Sequence, residues 1–195
     1  MLYVLNKWEK NPYPLAVEVD TTSKGGFADL SPFYLGPLID PLTGQVCQKM
    51  ENYWQYSKVY EEYFSFKNNA PTSEYWKWRE IGFNSTKANR YPMRKGRKPI
   101  GSLSQTGELL CYIDARKQIY ITAYSVLAKY TPSYKLLYDW MYTEHRDIVL
   151  RDFDGYDYNT MGLTLKDVVN NHKKSMGHAF VIAGMLTGQL HMMLQ

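Results

Sequence analysis

The residues best suited to chemistry are Glu51, Gln55 and Lys58, in the stretch KMENYWQYSKVYEEYF at 49–64. On a helix they fall four and three residues apart, with Glu62 four further on, so their side chains share one face. A carboxylate, a carboxamide and an ammonium group so arranged can orient water, move a proton or stabilise a developing cation. The same spacing also describes a solvated face, with Glu51 and Lys58 two turns apart. A second carboxylate, Asp154, lies in the acidic and aromatic loop RDFDGYDYNTMG at 151–162. Two carboxylates flanking a glycosidic bond can stabilise an oxocarbenium-like transition state and activate water. Aromatic neighbours such as Tyr53 and Trp54 would desolvate a carboxylate and raise its pKa, or stack on a base.

Other chemistries lack their residues. There is no Gly-rich phosphate loop, HExxH, GxSxG or dinucleotide fingerprint. The four histidines are scattered, and His172 and His178, six apart, are poorly spaced as ligands on a helix. Asp152, Asp154 and Asp157 lack the sixth-position Gly and twelfth-position Glu of an EF-hand. Cys47 and Cys111 are far apart, without a CxxC, which argues against a disulfide framework or structural zinc. The densest charge is NSTKANRYPMRKGRKP at 84–99, with six Lys or Arg around Tyr91 and with Arg79 just outside. It reads either as a solvated loop or as a phosphate-binding face. The net charge of +4 permits a polyanion partner without demanding one.

The elements that must position these residues follow from periodicity. Met50, Tyr53, Trp54, Tyr60, Tyr63 and Phe64 form an aromatic stripe, predicting one helix over 49–64. Residues 15–19 alternate as a short strand, Ser23 to Gly26 is a loop, and another short strand falls near 36–39. Thr72 or Ser73 caps a helix ended by Gly82. A long helix is expected over 107–130, although Arg116 and Lys117 interrupt its apolar stripe where the next apolar turn is due. It breaks there, or one of the two reaches a polar site. A further helix starts at Pro132 and runs to about Tyr142, 146–150 is a strand, and Thr164 with Asp167 makes a capping box. The apolar run MGHAFVIAGMLTGQLHMML is diluted by His, Gln and three Gly, and reads as a buried helix rather than a membrane span. With an N-terminus unlike a secretory signal, the chain reads as cytoplasmic.

At 195 residues, 45% apolar and 22% charged, the chain suits one soluble domain with a sizeable core. Its 18 tyrosines suit either base stacking and wet interfaces or a core with its hydroxyls at the surface. The order FADLSPF, a turn, then MENYWQYSKVY resembles the NADAR (NAD- and ADP-ribose-associated) family, whose members carry a Phe-Ser-Asn-Phe segment and then a Glu-His-Tyr-(Phe/Tyr)-Gln-xx-Lys helix. Ser31 and Phe33 match the first; Glu51, Tyr53, Gln55 and Lys58 match the second. GFNSTKANRYPMRK is similar to the family's basic region, with Gly82 and Lys87 or Arg90 at candidate positions. FDGYDYN stands where the family has an Asn-Asp-x-Tyr-Trp-Gly loop, which places Asp154 and Tyr156 on its Asp and Tyr. Met176 and Gly177 fall in its closing helix. The chain departs at Pro32, Asn52, Asp157 and Lys174, where the family has Asn, His, Trp and Asn.

The resemblance implies a mainly α (α+β) fold, a compact multihelical single domain over 1–195 with a few short strands. Residues 1–26 would form an N-terminal strand and loop extension. It also implies cleavage of N-glycosidic bonds in an ADP-ribosyl or ribosyl-phosphate adduct, for instance ADP-ribosylated guanine in nucleic acid, without a metal or organic cofactor. Glu51 and Asp154 would be catalytic; Lys58, Lys87 and Arg90 would hold phosphates; Tyr53, Trp54 or Tyr156 would stack on a base; and Ser31, Phe33, Gln55 and Asp157 would complete the ligand site. The implied partners are an ADP-ribose-type nucleotide and DNA or RNA, with no membrane. A catalytically silent nucleotide or nucleic-acid binding module, or an interaction protein that inhibits a partner, would fit the same residues.

Overall fold

A computed structural model describes all 195 residues. In chain order the elements are β1 Leu2–Asn6, β2 Val17–Asp20, β3 Leu38–Ile39, β4 Val46–Cys47, α1 Met50–Tyr56, β5 Lys58–Val59, β6 Phe64–Ser65, β7 Ala70–Pro71, α2 Ser73–Asn84, β8 Gly101–Leu103 and β9 Leu109–Leu110. There follow α3 Tyr112–Ala115, a π-helical turn Arg116–Ile121, α4 Thr122–Ala128, α5 Pro132–Tyr142, β10 Ile148–Asp152, α6 Leu165–Asn170, α7 His178–Leu186 and α8 Leu190–Met193. The class is mixed α+β. The chain divides into two compact units, Met1–Tyr34 with Tyr124–Gln195, and Leu35–Ala123.

The first unit is built on a parallel sheet in the order β1–β10–β2. Every residue of β10, IVLRD, is buried, as expected of a central parallel strand covered on both faces. Leu2 pairs with Ile148, and Ile148 with Val17. Residues 1–26 are therefore not an extension; they supply two of the three strands. The strand expected at 146–150 starts two residues later and runs through Asp152. α7, HAFVIAGML, is buried at every position but Met185, because an all-round apolar helix has no face to give to water. No helix of the protein is long and apolar enough to cross a membrane. Thr131 caps α5, with Pro132 in its first turn, and the Thr164–Asp167 capping box forms both its bonds.

The second unit packs α1 and α2 beside the antiparallel sheet β5–β8–β9 and the hairpins β3–β4 and β6–β7. Tyr75, Val59 and Leu103 form a core cluster there, with Tyr63, Phe64 and Trp78 packed around it. Two long helices expected from periodicity are cut short. α1 stops at Tyr56, where the Ser57 hydroxyl donates to Tyr53 O at 2.7 Å and the buried Tyr75 hydroxyl donates to Tyr56 O and Ser57 O at 3.2 and 3.3 Å. With its end carbonyls satisfied, the chain crosses into β5, where Lys58 and Val59 pair with Ser102 and Gly101. The helix expected over 107–130 begins only at Tyr112, because Leu109 and Leu110 instead join β8 as β9. The helix ended by Gly82 in expectation starts at the Thr72 cap and runs on to Asn84.

Candidate functional site

α1 places Glu51 and Gln55 one turn apart, and the turn into β5 brings Lys58 back over them. Gln55 donates through Nε2 to Glu51 Oε1 at 2.8 Å, and Lys58 Nζ donates to Gln55 Oε1 at 2.6 Å. Carboxylate, amide and ammonium form one hydrogen-bonded chain. Glu51 and Gln55 are only 5% and 7% exposed, which rules out the solvated-face reading of this spacing. Burial pushes the Lys58 ammonium down to about 8; the charge of Glu51 opposes that shift and the charge of Arg90 adds to it. Lys58 Nζ also lies 5.1 Å from the centroid of the Trp54 ring. Trp54 in turn packs edge-on to Tyr120 at 5.3 Å and tilts against Tyr112 at 6.4 Å.

The π-helical turn falls at Arg116 and Lys117, the pair that interrupts the apolar stripe. Arg116 falls where the apolar stripe is due, and it is buried there at 2% exposure. Its guanidinium lies 4.3 Å from the Tyr112 ring and donates to the Tyr112 hydroxyl at 3.0 Å. The second unit thus holds a buried carboxylate, a buried arginine and a half-buried lysine around an aromatic group of Trp54, Tyr112 and Tyr120. Such a set suits an anionic ligand with a flat ring.

The remaining candidates separate. Tyr53 is 2% exposed and tilts against Phe83 at 5.8 Å, and burial pushes its phenol up to about 12. Its face belongs to the core, which corrects the expectation that it stacks on a base. Lys87 and Arg90 stand exposed on the basic loop. Arg79, just outside that patch by sequence, is 1% exposed and pairs with buried Asp40 at 2.8 Å, so it holds the fold. Asn52 is fully buried: its amide nitrogen lies within 3.2 Å of Gly82 O, Ser85 O and Lys87 O, while its oxygen accepts from the Asn89 N–H at 2.8 Å. It moors the start of the basic loop to α1, beside Glu51, a role that the spacing did not reveal.

In the first unit, Ser31 is buried and accepts from the Phe33 N–H at 3.3 Å; Phe33 is half-buried. Asp157 is buried; it accepts from the Tyr13 hydroxyl and from the Thr160 N–H at 3.3 Å, so its carboxylate braces a loop, which corrects its assignment to a ligand. Asp154 and Tyr156 are half-buried. The Asp154 N–H donates to Asp152 Oδ1 at 3.3 Å, and the Tyr156 ring lies 4.8 Å from Phe180 and 4.4 Å from Lys174 Nζ. Sequence reasoning weighed Asp152 and His178 only as metal ligands and did not pair them. Asp152 Oδ2 is 3.0 Å from His178 Nδ1 and accepts from the Ala179 N–H at 3.1 Å, capping α7 from the end of β10. His178 Nε2 lies 2.9 Å from Thr21 O, a group that only accepts. Gly177 is required beside this pair, since a Cβ there would stand 2.2 Å from Asp152 Oδ2. The signal available in the sequence was an Asp closing an apolar strand and a His opening an apolar helix. No group of three or more His, Cys, Asp or Glu is placed to hold a metal ion.

Fold and site together describe an α+β protein whose second unit buries a carboxylate–amide–ammonium chain beside aromatic rings. The chain belongs to a family of unknown function, DUF6939, whose model matches residues 5–182. No curated protein and no solved structure matches it.

Proposed function

We propose that this protein is an N-glycosidase-like hydrolase acting on an ADP-ribosyl or ribosyl-phosphate adduct, with its chemistry centred on Glu51. The observation that carries the reading is the hydrogen-bonded chain from Glu51 through Gln55 to Lys58, buried at one end and open at the other. Gln55 donates to Glu51 and so orients its carboxyl group, whose ionised form would stabilise an oxocarbenium-like centre and orient water. Lys58, its pKa lowered by burial to about 8, is set to protonate a departing base or to bind phosphate. Trp54 offers the ring face for the base, and Arg90, whose charge Lys58 feels, extends the cationic side of the site toward the loop. The motif resemblance to NADAR proteins supports the same roles for Glu51, Gln55 and Lys58.

The test is incubation of the purified protein with ADP-ribosylated guanine in DNA and with the free ADP-ribosyl guanosine adduct, read by mass spectrometry. Release of ADP-ribose by the wild type, and at least a hundredfold slower release by a folded Glu51→Gln variant, is expected. A fully active Glu51→Gln protein would remove Glu51 from the mechanism. No release, together with ADP-ribose binding in calorimetry, would replace hydrolysis by binding.

A further inference from the structure

Apart from Arg90, the basic loop that follows α2 is not absorbed by the proposed reaction, and its construction differs from that of an ordinary solvated loop. Both its ends are moored. Asn52 holds the backbone of Ser85, Lys87 and Asn89, and the Ile100 N–H donates to Val59 O at 2.9 Å on β5. Between them the Asn89 carboxamide accepts from the Tyr91 N–H at 3.2 Å, and Arg94 N–H closes a turn on Tyr91 O at 3.0 Å. The loop encloses an open groove of about 550 Å³, lined by residues 94–98 with Glu61 and Ile100. Arg97 is held by Glu62 at 2.7 Å, whereas Arg94, Lys95 and Lys98 are exposed and form no ion pair. Tyr91 is 46% exposed, with the Arg90 guanidinium 5.6 Å from its ring.

We infer that this loop is a binding track for a single strand of nucleic acid, with phosphates held by Arg94, Lys95 and Lys98 and a base stacked on Tyr91. Cations left unneutralised on a moored backbone are suited to a polyanion, since few of them must give up a carboxylate to bind it. Three such cations, at 94, 95 and 98, outnumber the single phosphate of a free mononucleotide. An exposed tyrosine interleaved with arginine favours unpaired bases over a duplex, whose bases are already stacked, and over an acidic peptide, which has no ring to stack. The inference is independent of the glycosidase reading, because none of these groups belongs to the Glu51–Gln55–Lys58 chain.

Fluorescence anisotropy with a labelled 20-nucleotide single strand tests it, using the full chain at several salt concentrations. Wild-type binding should weaken steeply with salt. An Arg94→Gln/Lys95→Gln/Lys98→Gln variant should bind at least tenfold more weakly at low salt, with a logarithmic salt slope shallower by about two, since each single-strand phosphate contact contributes roughly 0.7. Tyr91→Ala should weaken binding with the slope unchanged. A Lys135→Gln variant, which removes an exposed cation outside the loop, should bind the strand as wild type does, and binding is read without turnover, so a failure of hydrolysis leaves this result standing. Undiminished binding by the triple variant, binding indifferent to salt, or equal binding of a polyglutamate peptide would each overturn the track.

Discussion

Lys58 is brought out of water by the turn between α1 and β5, and that placement has a measurable sign. Burial holds its folded-state pKa at about 8, against 10.5 in the unfolded chain. Between these values the unfolded state binds more protons, so Lys58 adds stability as pH rises through that window. We expect the stability of the wild type relative to Lys58→Met to increase from pH 8 to pH 9.5 in urea unfolding; tyrosines that titrate in both proteins cancel. A flat difference would place the ammonium in water and remove it from the site. Asp152, whose pKa is also lowered, gives the same slope in a lower pH window, but there the fold favours the charged form. Burial alone would raise its pKa, but the His178 ring and the N–H groups of Ala179 and Asp154 hold it at about 2. The His178 ring sets one nitrogen beside the Asp152 carboxylate and the other beside Thr21 O, both acceptors. The stability Asp152 contributes is complete above its ordinary value of 3.8 and disappears as pH falls through about 2. Asp152→Asn should therefore cost about 3 kcal/mol at pH 7, because it breaks a buried contact between a carboxylate and the His178 ring, and the deficit should shrink toward pH 2.

At the scale of elements, α1, which carries Glu51, packs closely on α2. A Cβ on Gly82 would stand 2.2 Å from the Tyr56 ring, so the two helices approach through a missing side chain. Alanine favours a helix over glycine by about 1 kcal/mol. The displaced ring should outweigh that, and Gly82→Ala is expected to lower stability by about 1–3 kcal/mol with a fall in Tm; a higher Tm would show that the ring has room. Elements fixed by local chemistry were legible in the sequence: the Thr72 and Thr131 caps and the Thr164–Asp167 box each satisfy N–H groups within four residues. Elements decided by distant partners were not. The stripe Met50–Tyr53–Trp54 continues to Tyr63 at helical period, yet β8 claims Lys58 and Val59 as a strand. Leu109 and Leu110 read as the start of a helix until β8 pairs with them as well. The site shows the same division. Glu51, Gln55 and Lys58 were legible because they lie on consecutive turns, and their contact survives the loss of the helix after Tyr56. Asn52 was not, because its carbonyl partners lie thirty or more residues away.

For the molecule as a whole, the order of the parallel sheet sets the terms of folding. β1 and β2 do not pair with each other; each pairs only with β10, which arrives almost 150 residues after β1. The N-terminal strand was invisible in sequence for that reason: LYVLN is a short apolar run whose strand character comes from a partner near the other end of the chain. Residues 35–123, which contain the Glu51 site and the basic loop, are contiguous and find all their sheet partners within that segment. Non-local pairing of the first kind is slow to form and exposes strand edges until it does. A chain ending at residue 145 should consequently leave β1 and β2 without partners and aggregate through them, whereas adding 146–195 as a separate fragment during refolding should recover soluble protein. Hydrogen exchange gives the decisive reading: in the reconstituted pair the amides of β1 should regain the protection they have in the intact chain. A soluble 1–145 fragment with β1 already protected would mean that the sheet can be organised without its central strand.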